Sequence, residues 1–153
     1  MDPLQTILES KDRAVYSLES GSTVYEAVET MCEKKIGAVL VTHGGVPIGI
    51  LSERDVLTRV LLQHRDPTEI TVGTAMTREV VCVELDTRPD EILEIMTRRR
   101  LRHIPVLNEG HVVGMVSIGD LVHWTLQTRD NEIRELREYV GGGYPDTTPN
   151  IMV

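Results

Sequence analysis

The chain has 153 residues, 41% of them hydrophobic and 3% aromatic with no Phe, and a formal net charge of −8. Its length suffices for a buried core in one domain or in two small halves sharing one, while the acidic balance and the scarcity of rings argue against nucleic acid as a partner. Cys32 and Cys82 stand apart, without a C-x-x-C pair or a His in ligand spacing, which argues against both a zinc site and a disulfide framework.

The first residues, MDPLQTILES, lack the basic start and apolar centre of a signal peptide. No run approaches the roughly 18 apolar residues of a membrane span, so a cytoplasmic chain without membrane contact is expected. VYSL, from Val15, reads as a short strand. In ESGSTVYEAVETMCEKK, Thr23 followed by Glu26 is a capping-box signature, and Val24, Ala27, Val28 and Met31 recur at helical spacing. IGAVLVT and VPIGILS read as strands around a turn at Gly44-Gly45, and ERDVLTRVLLQ as a second helix.

After a linker with Pro67 and the short segment TVGTAM, the order recurs. VVCVE is a strand, a helix runs from about Pro89 to Arg100, RHIPVL and HVVGMVS flank a turn at Glu109-Gly110, and a helix runs from Gly119 to about Gln127. Beyond it Ile133, Leu136 and Val140 lie on one helical stripe, and GGGYPDTTPNIMV has the Gly and Pro density of a flexible end.

The recurrence is a duplication with an offset of 65 residues and no gap: Val15 meets Val80, Glu26 meets Glu91, Met31 meets Met96 and Val41 meets Val106. Two copies fall short of a solenoid and predict two β-α-β-β-α units, residues 1–66 and 67–128, with residues 129–153 as a C-terminal helix and tail. At the same offset Gly-x-x-Ser-x-x-Asp is written twice, as Gly49, Ser52, Asp55 and as Gly114, Ser117, Asp120. The serine sits where a strand passes into a helix, among backbone N–H groups that attract anions. The glycine removes a side chain that would block a ligand, and the aspartate can accept hydrogen bonds from the vicinal hydroxyls of a ribose. Capping alone also accounts for the Ser and Asp, at about 1 kcal/mol of helix stability.

IGAVLVTHGGVPIGILSERDV and RHIPVLNEGHVVGMVSIGDL, at matching places in the two units and with the TVGTAMT lead-in, resemble the CBS domain, named after cystathionine β-synthase. Over roughly residues 4 to 127 the chain resembles a CBS pair, or Bateman module, of the free-standing kind. Leu40 departs from the pattern, which has proline there as at Pro105. The resemblance implies an α+β fold of two tandem repeats packed with pseudo-two-fold symmetry, a homodimer of pairs, and an adenosyl ligand: AMP, ADP, ATP, NAD or S-adenosylmethionine. It also implies clefts built crosswise. Ser52, Arg54 and Asp55 would work with Val80, Val81, Arg102, His103 and Ile104. Ser117 and Asp120 would work with Ala14, Tyr16, Gly37, Ala38 and Val39.

Arg54, Arg102 and His103 gather at the Asp55 site, while Gly119, Gly37 and Ala38 stand at the corresponding positions around Asp120. A multiply charged phosphate ligand is therefore expected at the Asp55 site. Catalytic signatures are missing: there is no Gly-rich phosphate loop with Lys, no H-E-x-x-H and no G-x-S-x-G, and His43, His64, His111 and His123 are scattered. The expected function is that of a non-enzymatic regulatory module that senses an adenosine-containing ligand and signals to a partner protein. The apolar helix face with Val56, Leu57 and Val60 is expected to supply a dimer contact. The alternative is a ligand-free structural module for protein association.

Overall fold

Thr23 opens the first long helix with a complete capping box: Glu26 N–H donates to Thr23 Oγ1 (3.2 Å) and Thr23 N–H to Glu26 Oε2 (3.1 Å). The computed structural model in which this is seen describes residues 3–11 and 15–141, so most of the Gly- and Pro-rich end lies outside the described residues. In chain order the elements are α1 (Pro3–Glu9), β1 (Ser17–Glu19), α2 (Val24–Lys34), β2 (Ala38–His43) and β3 (Val46–Ser52). A single turn, α3 (Glu53–Asp55), continues as a π-helix over Val56–Leu61. Then follow α4 (Val72–Ala75), β4 (Val83–Glu84), α5 (Pro89–Arg99), β5 (His103–Asn108), β6 (His111–Ser117) and α6 (Ile118–Tyr139). By its contacts the chain forms two units, residues 1–121, which hold both sheets, and residues 122–153.

The fold is α+β, with two three-stranded sheets in the order β1-β2-β3 and β4-β5-β6. In each, the first pair is parallel across an intervening helix and the second is an antiparallel hairpin, which is the expected β-α-β-β-α unit written twice. Both hairpins slip register at the same place, between Val41 and Thr42 and between Val106 and Leu107. Both turn through two residues of positive φ, Gly44 (58°) with Gly45 (80°) and Glu109 (50°) with Gly110 (79°), the backbone that right-twisted strands require of a two-residue loop. Glu19 braces the first turn by accepting the N–H groups of Gly44 and Gly45, at 3.1 Å each. The Thr42 hydroxyl and those two amides hold its carboxyl below the usual value.

The entry strands are shorter than VYSL and VVCVE suggest, and unequal. Leu40 N–H donates to Tyr16 O (3.0 Å) and Ser17 pairs with Leu40. At the equivalent position Pro105 has no N–H to give, so pairing of β4 with β5 begins only at Val83. The departure from the family pattern thus lengthens one ladder.

The core of the first repeat joins Val24, Ala27 and Met31 of α2 to Val39, Val41 and Leu51 of the sheet and Val60 of the π-helix. It also takes Val72, Ala75 and Met76 from the opening segment of the second repeat. Conversely α1, which the sequence pattern does not predict, packs on β6 of the second repeat and buries Leu4, Ile7 and Leu8. The repeats exchange their lead-in segments.

Two helices depart from expectation. In the π-helix, Leu62 N–H reaches Leu57 O and Arg65 N–H reaches Val60 O, both at 3.0 Å and five residues back. Six residues are too few for an apolar period to separate that winding from an α-helix. The helix expected to end near Gln127 runs on to Tyr139, because no Gly or Pro interrupts residues 120 to 139. No helix among the described residues is long and apolar enough to cross a membrane.

Candidate ligand-binding clefts

Each Gly-x-x-Ser-x-x-Asp motif closes into a reciprocal box where strand meets helix. Ser52 N–H donates to Asp55 Oδ2 (2.9 Å) and Asp55 N–H to Ser52 Oγ (3.2 Å). Ser117 N–H donates to Asp120 Oδ2 (2.8 Å) and Asp120 N–H to Ser117 Oγ (3.1 Å). The first amide of each helix is also taken, Glu53 N–H by Gly37 O (3.0 Å) and Ile118 N–H by Arg102 O (2.9 Å). Three of the amides at each helix start, a place expected from the sequence to attract an anion, are thus satisfied inside the protein.

The motif glycine also has a reason other than the one expected. A Cβ on Gly49 would collide with Met76 Sδ and lie 2.8 Å from Thr77 O, and one on Gly114 would lie 2.6 Å from Leu8 Cδ2. That space is filled by the exchanged lead-in segments, and Gly114 lines the Asp120 cleft as well.

Beyond the boxes the carboxylates find different partners. Asp55 Oδ1 accepts from Thr77 Oγ1 (3.1 Å), with Arg59 Nε at 3.7 Å. Asp120 Oδ2 pairs with the ammonium of Lys11. Burial pushes the Asp120 carboxyl up, but the Lys11 ammonium and the Ser117 N–H and hydroxyl outweigh it and hold the group below the ordinary aspartate value.

Two cavities open over these groups, of about 330 Å³ at Asp120 and about 250 Å³ at Asp55. Ser52, Arg54, Asp55, Val80, Val81, Arg102 and His103 all line the Asp55 cleft. Tyr16, Gly37, Ala38, Ser117 and Asp120 line the other, and Ala14 lies outside the described residues. Val39 and Ile104 do not reach either cleft. Both have 0% exposure, because in a strand covered on both faces the residue after Ala38 or His103 points to the opposite side.

The expected contrast in charge is overturned. Lys11, Lys34 and Lys35 line the Asp120 cleft, supplied by the exchanged N-terminal segment and the end of α2 rather than by the positions equivalent to Arg54, Arg102 and His103. Lys34 also stands over the Tyr16 ring, 5.5 Å from its centroid. Sequence reasoning missed these lysines together with Thr77, Glu79 and Arg100. A repeat-wise signal existed for two of them, since Lys35 and Arg100 are equivalent helix ends of positive φ (54° and 55°) and each lines a cleft.

The clefts share a wall. Gly37 and His103 line both, and a Cβ on Gly37 would lie 2.9 Å from His103 Cε1. Burial lowers the His103 imidazole below its ordinary value; Lys11 and Arg102 add to the shift, and Glu53 and Asp120 oppose it.

A sequence model of the CBS domain matches residues 11–62 and 72–126, one match per repeat. The chain belongs to the CBS domain family. The CBS domain-containing protein CBSX3, mitochondrial, of Arabidopsis thaliana is 37% identical over 127 residues, covering 80% of this CBS pair and 62% of that protein. The pair thus spans less than two thirds of that relative, and 18% to 22% of several larger Arabidopsis ones. Among solved structures, the CBS-domain containing protein ATU1752 from Agrobacterium tumefaciens is 38% identical with a TM-score of 0.73, covering 78% of this chain and 95% of that one. CBSX2, crystallised in complex with AMP, is 22% identical with a TM-score of 0.63 over 75% of this chain and 90% of that one, and shares the fold.

Proposed function

We propose that this CBS pair is a regulatory module that binds an adenosine-containing ligand, one of AMP, ADP, ATP, NAD or S-adenosylmethionine, between its repeats and passes its occupancy to a partner protein. The observation that carries the reading is the pair of clefts, each placing one serine-braced aspartate beside an apolar wall and a set of cations. A carboxylate so placed suits vicinal ribose hydroxyls, and the cations suit phosphate. CBSX2, of the same fold, was crystallised with AMP. The module is non-enzymatic in this reading: Asp120, held ionised by Lys11 and Ser117, is a poor proton carrier near neutral pH.

The test is a thermal-shift series against the five compounds. A ligand that binds only the native state raises Tm progressively with its concentration. A flat response to all five would remove the reading, and product formed from ATP or NAD by repurified protein would remove its non-enzymatic part.

We also propose self-association of two pairs. Leu57, Leu61 and Leu62 are 55%, 54% and 70% exposed, a local apolar face that a second copy would cover. Val60, expected on that face, is instead fully buried in the core of its own repeat, while Leu57 remains available. Light scattering at micromolar concentration should give twice the monomer mass, with Leu57→Glu returning it to one.

A further inference from the structure

The two clefts share a motif and differ in charge. Lys11, Lys34 and Lys35 face a single carboxylate, Asp120, among the described residues that line its cleft. Arg54, Arg100 and Arg102 line the other, but there Glu53 and Glu79 join Asp55 and balance them. One cleft presents an excess of positive charge and the other close to none, and a concave wall concentrates such a field on its ligand.

The aspartates differ in the same direction. Both oxygens of Asp55 are engaged inside the protein, Oδ2 by Ser52 and Oδ1 by Thr77. The described bonds to Asp120, from Ser117 and Lys11, fall on Oδ2, so Oδ1 keeps its capacity to accept from a ligand hydroxyl. Lys35 adds a third observation. It holds a left-handed backbone (φ 54°) at the end of α2, where glycine is favoured, and it lines this cleft.

We propose that the Asp120 cleft is the site for a nucleoside di- or triphosphate, with Lys34 and Lys35 on the phosphates and Lys11 transferring from Asp120 to the ligand, while the Asp55 cleft takes an adenosyl compound of low charge. This assignment rests on the reading of both clefts as adenosyl sites. It reverses the preference that the sequence alone suggests.

Titration calorimetry of the full chain with ATP and with AMP tests it. Asp55→Asn, which keeps an acceptor for the Ser52 amide, should weaken AMP more than ATP. The double variant Lys34→Gln/Lys35→Gln should weaken ATP about 10-fold or more and flatten its salt dependence, while AMP changes less, since charge-assisted contacts carry roughly 10- to 150-fold in affinity. Lys35→Gly, which relieves the backbone, should also weaken ATP while raising Tm. ATP binding lost in Asp55→Asn and unmoved by the lysine variants would overturn the assignment and leave adenosyl binding standing. No binding of either nucleotide by the wild-type chain would overturn both.

Discussion

His103 is the residue at which the two clefts meet, and its burial makes a test by pH possible. Because the folded chain holds this imidazole below its ordinary value, the unfolded chain takes up the proton more readily. The contribution of the neutral ring is therefore complete above about pH 6.5, the unfolded value, and is lost as pH falls through it. Calorimetric Tm should drop between about pH 7.5 and pH 5.5, and should drop less in His103→Gln; parallel curves for the two proteins would assign the pH dependence elsewhere. At this scale the sequence was readable wherever a residue acts through its neighbours in the chain. Ser52 with Asp55, and Ser117 with Asp120, make the bonds their spacing suggests. Lys11 and Asp120 lie 109 residues apart, and no pattern in either segment announces their meeting.

Among the elements, the entry strands show how one side chain sets a length. Leu40 supplies the amide that binds Tyr16 O, and Pro105 cannot. Leu40→Pro should therefore cost about 0.5–1.5 kcal/mol for the lost hydrogen bond, to which the loss of the buried Leu40 side chain adds. Urea unfolding would measure it, and an unchanged midpoint would show that neither the bond nor the packing of Leu40 contributes net stability. The protein should still fold, since the second repeat builds the same sheet with proline at that position. Elements with a clear period and clear stops were legible: α2 with its Thr23 cap, α5 with Pro89 in its first turn, and both hairpins with their glycines. The seven residues of α1 offer too short a period to register, and the six of Val56–Leu61 are too few to distinguish α from π winding.

For the molecule as a whole, duplication was legible because the offset never slips, whereas the charge of each cleft was not. The offset compares equivalent positions, and although Lys35 and Arg100 are such a pair, other cations come from non-equivalent ones: Lys11 from the start of the first repeat, Arg102 from just before β5. The exchange of lead-in segments also has a consequence for the order in which the protein is made. Residues of the Asp55 cleft lie between Gly37 and His103, but the Asp120 cleft needs Leu8 and Lys11 from one end and Ser117 and Asp120 from the other. A ribosome adding roughly 5–20 residues per second presents Leu8 several seconds before the strand bearing Gly114, against which it comes to rest. Through that interval α1 is an apolar segment without a seat, while α4 follows the sheet it covers after only α3 and the π-helix. Synthesis therefore orders the clefts, the one at Asp55 able to assemble on the nascent chain and the one at Asp120 completed last, when the two ends of the duplication meet.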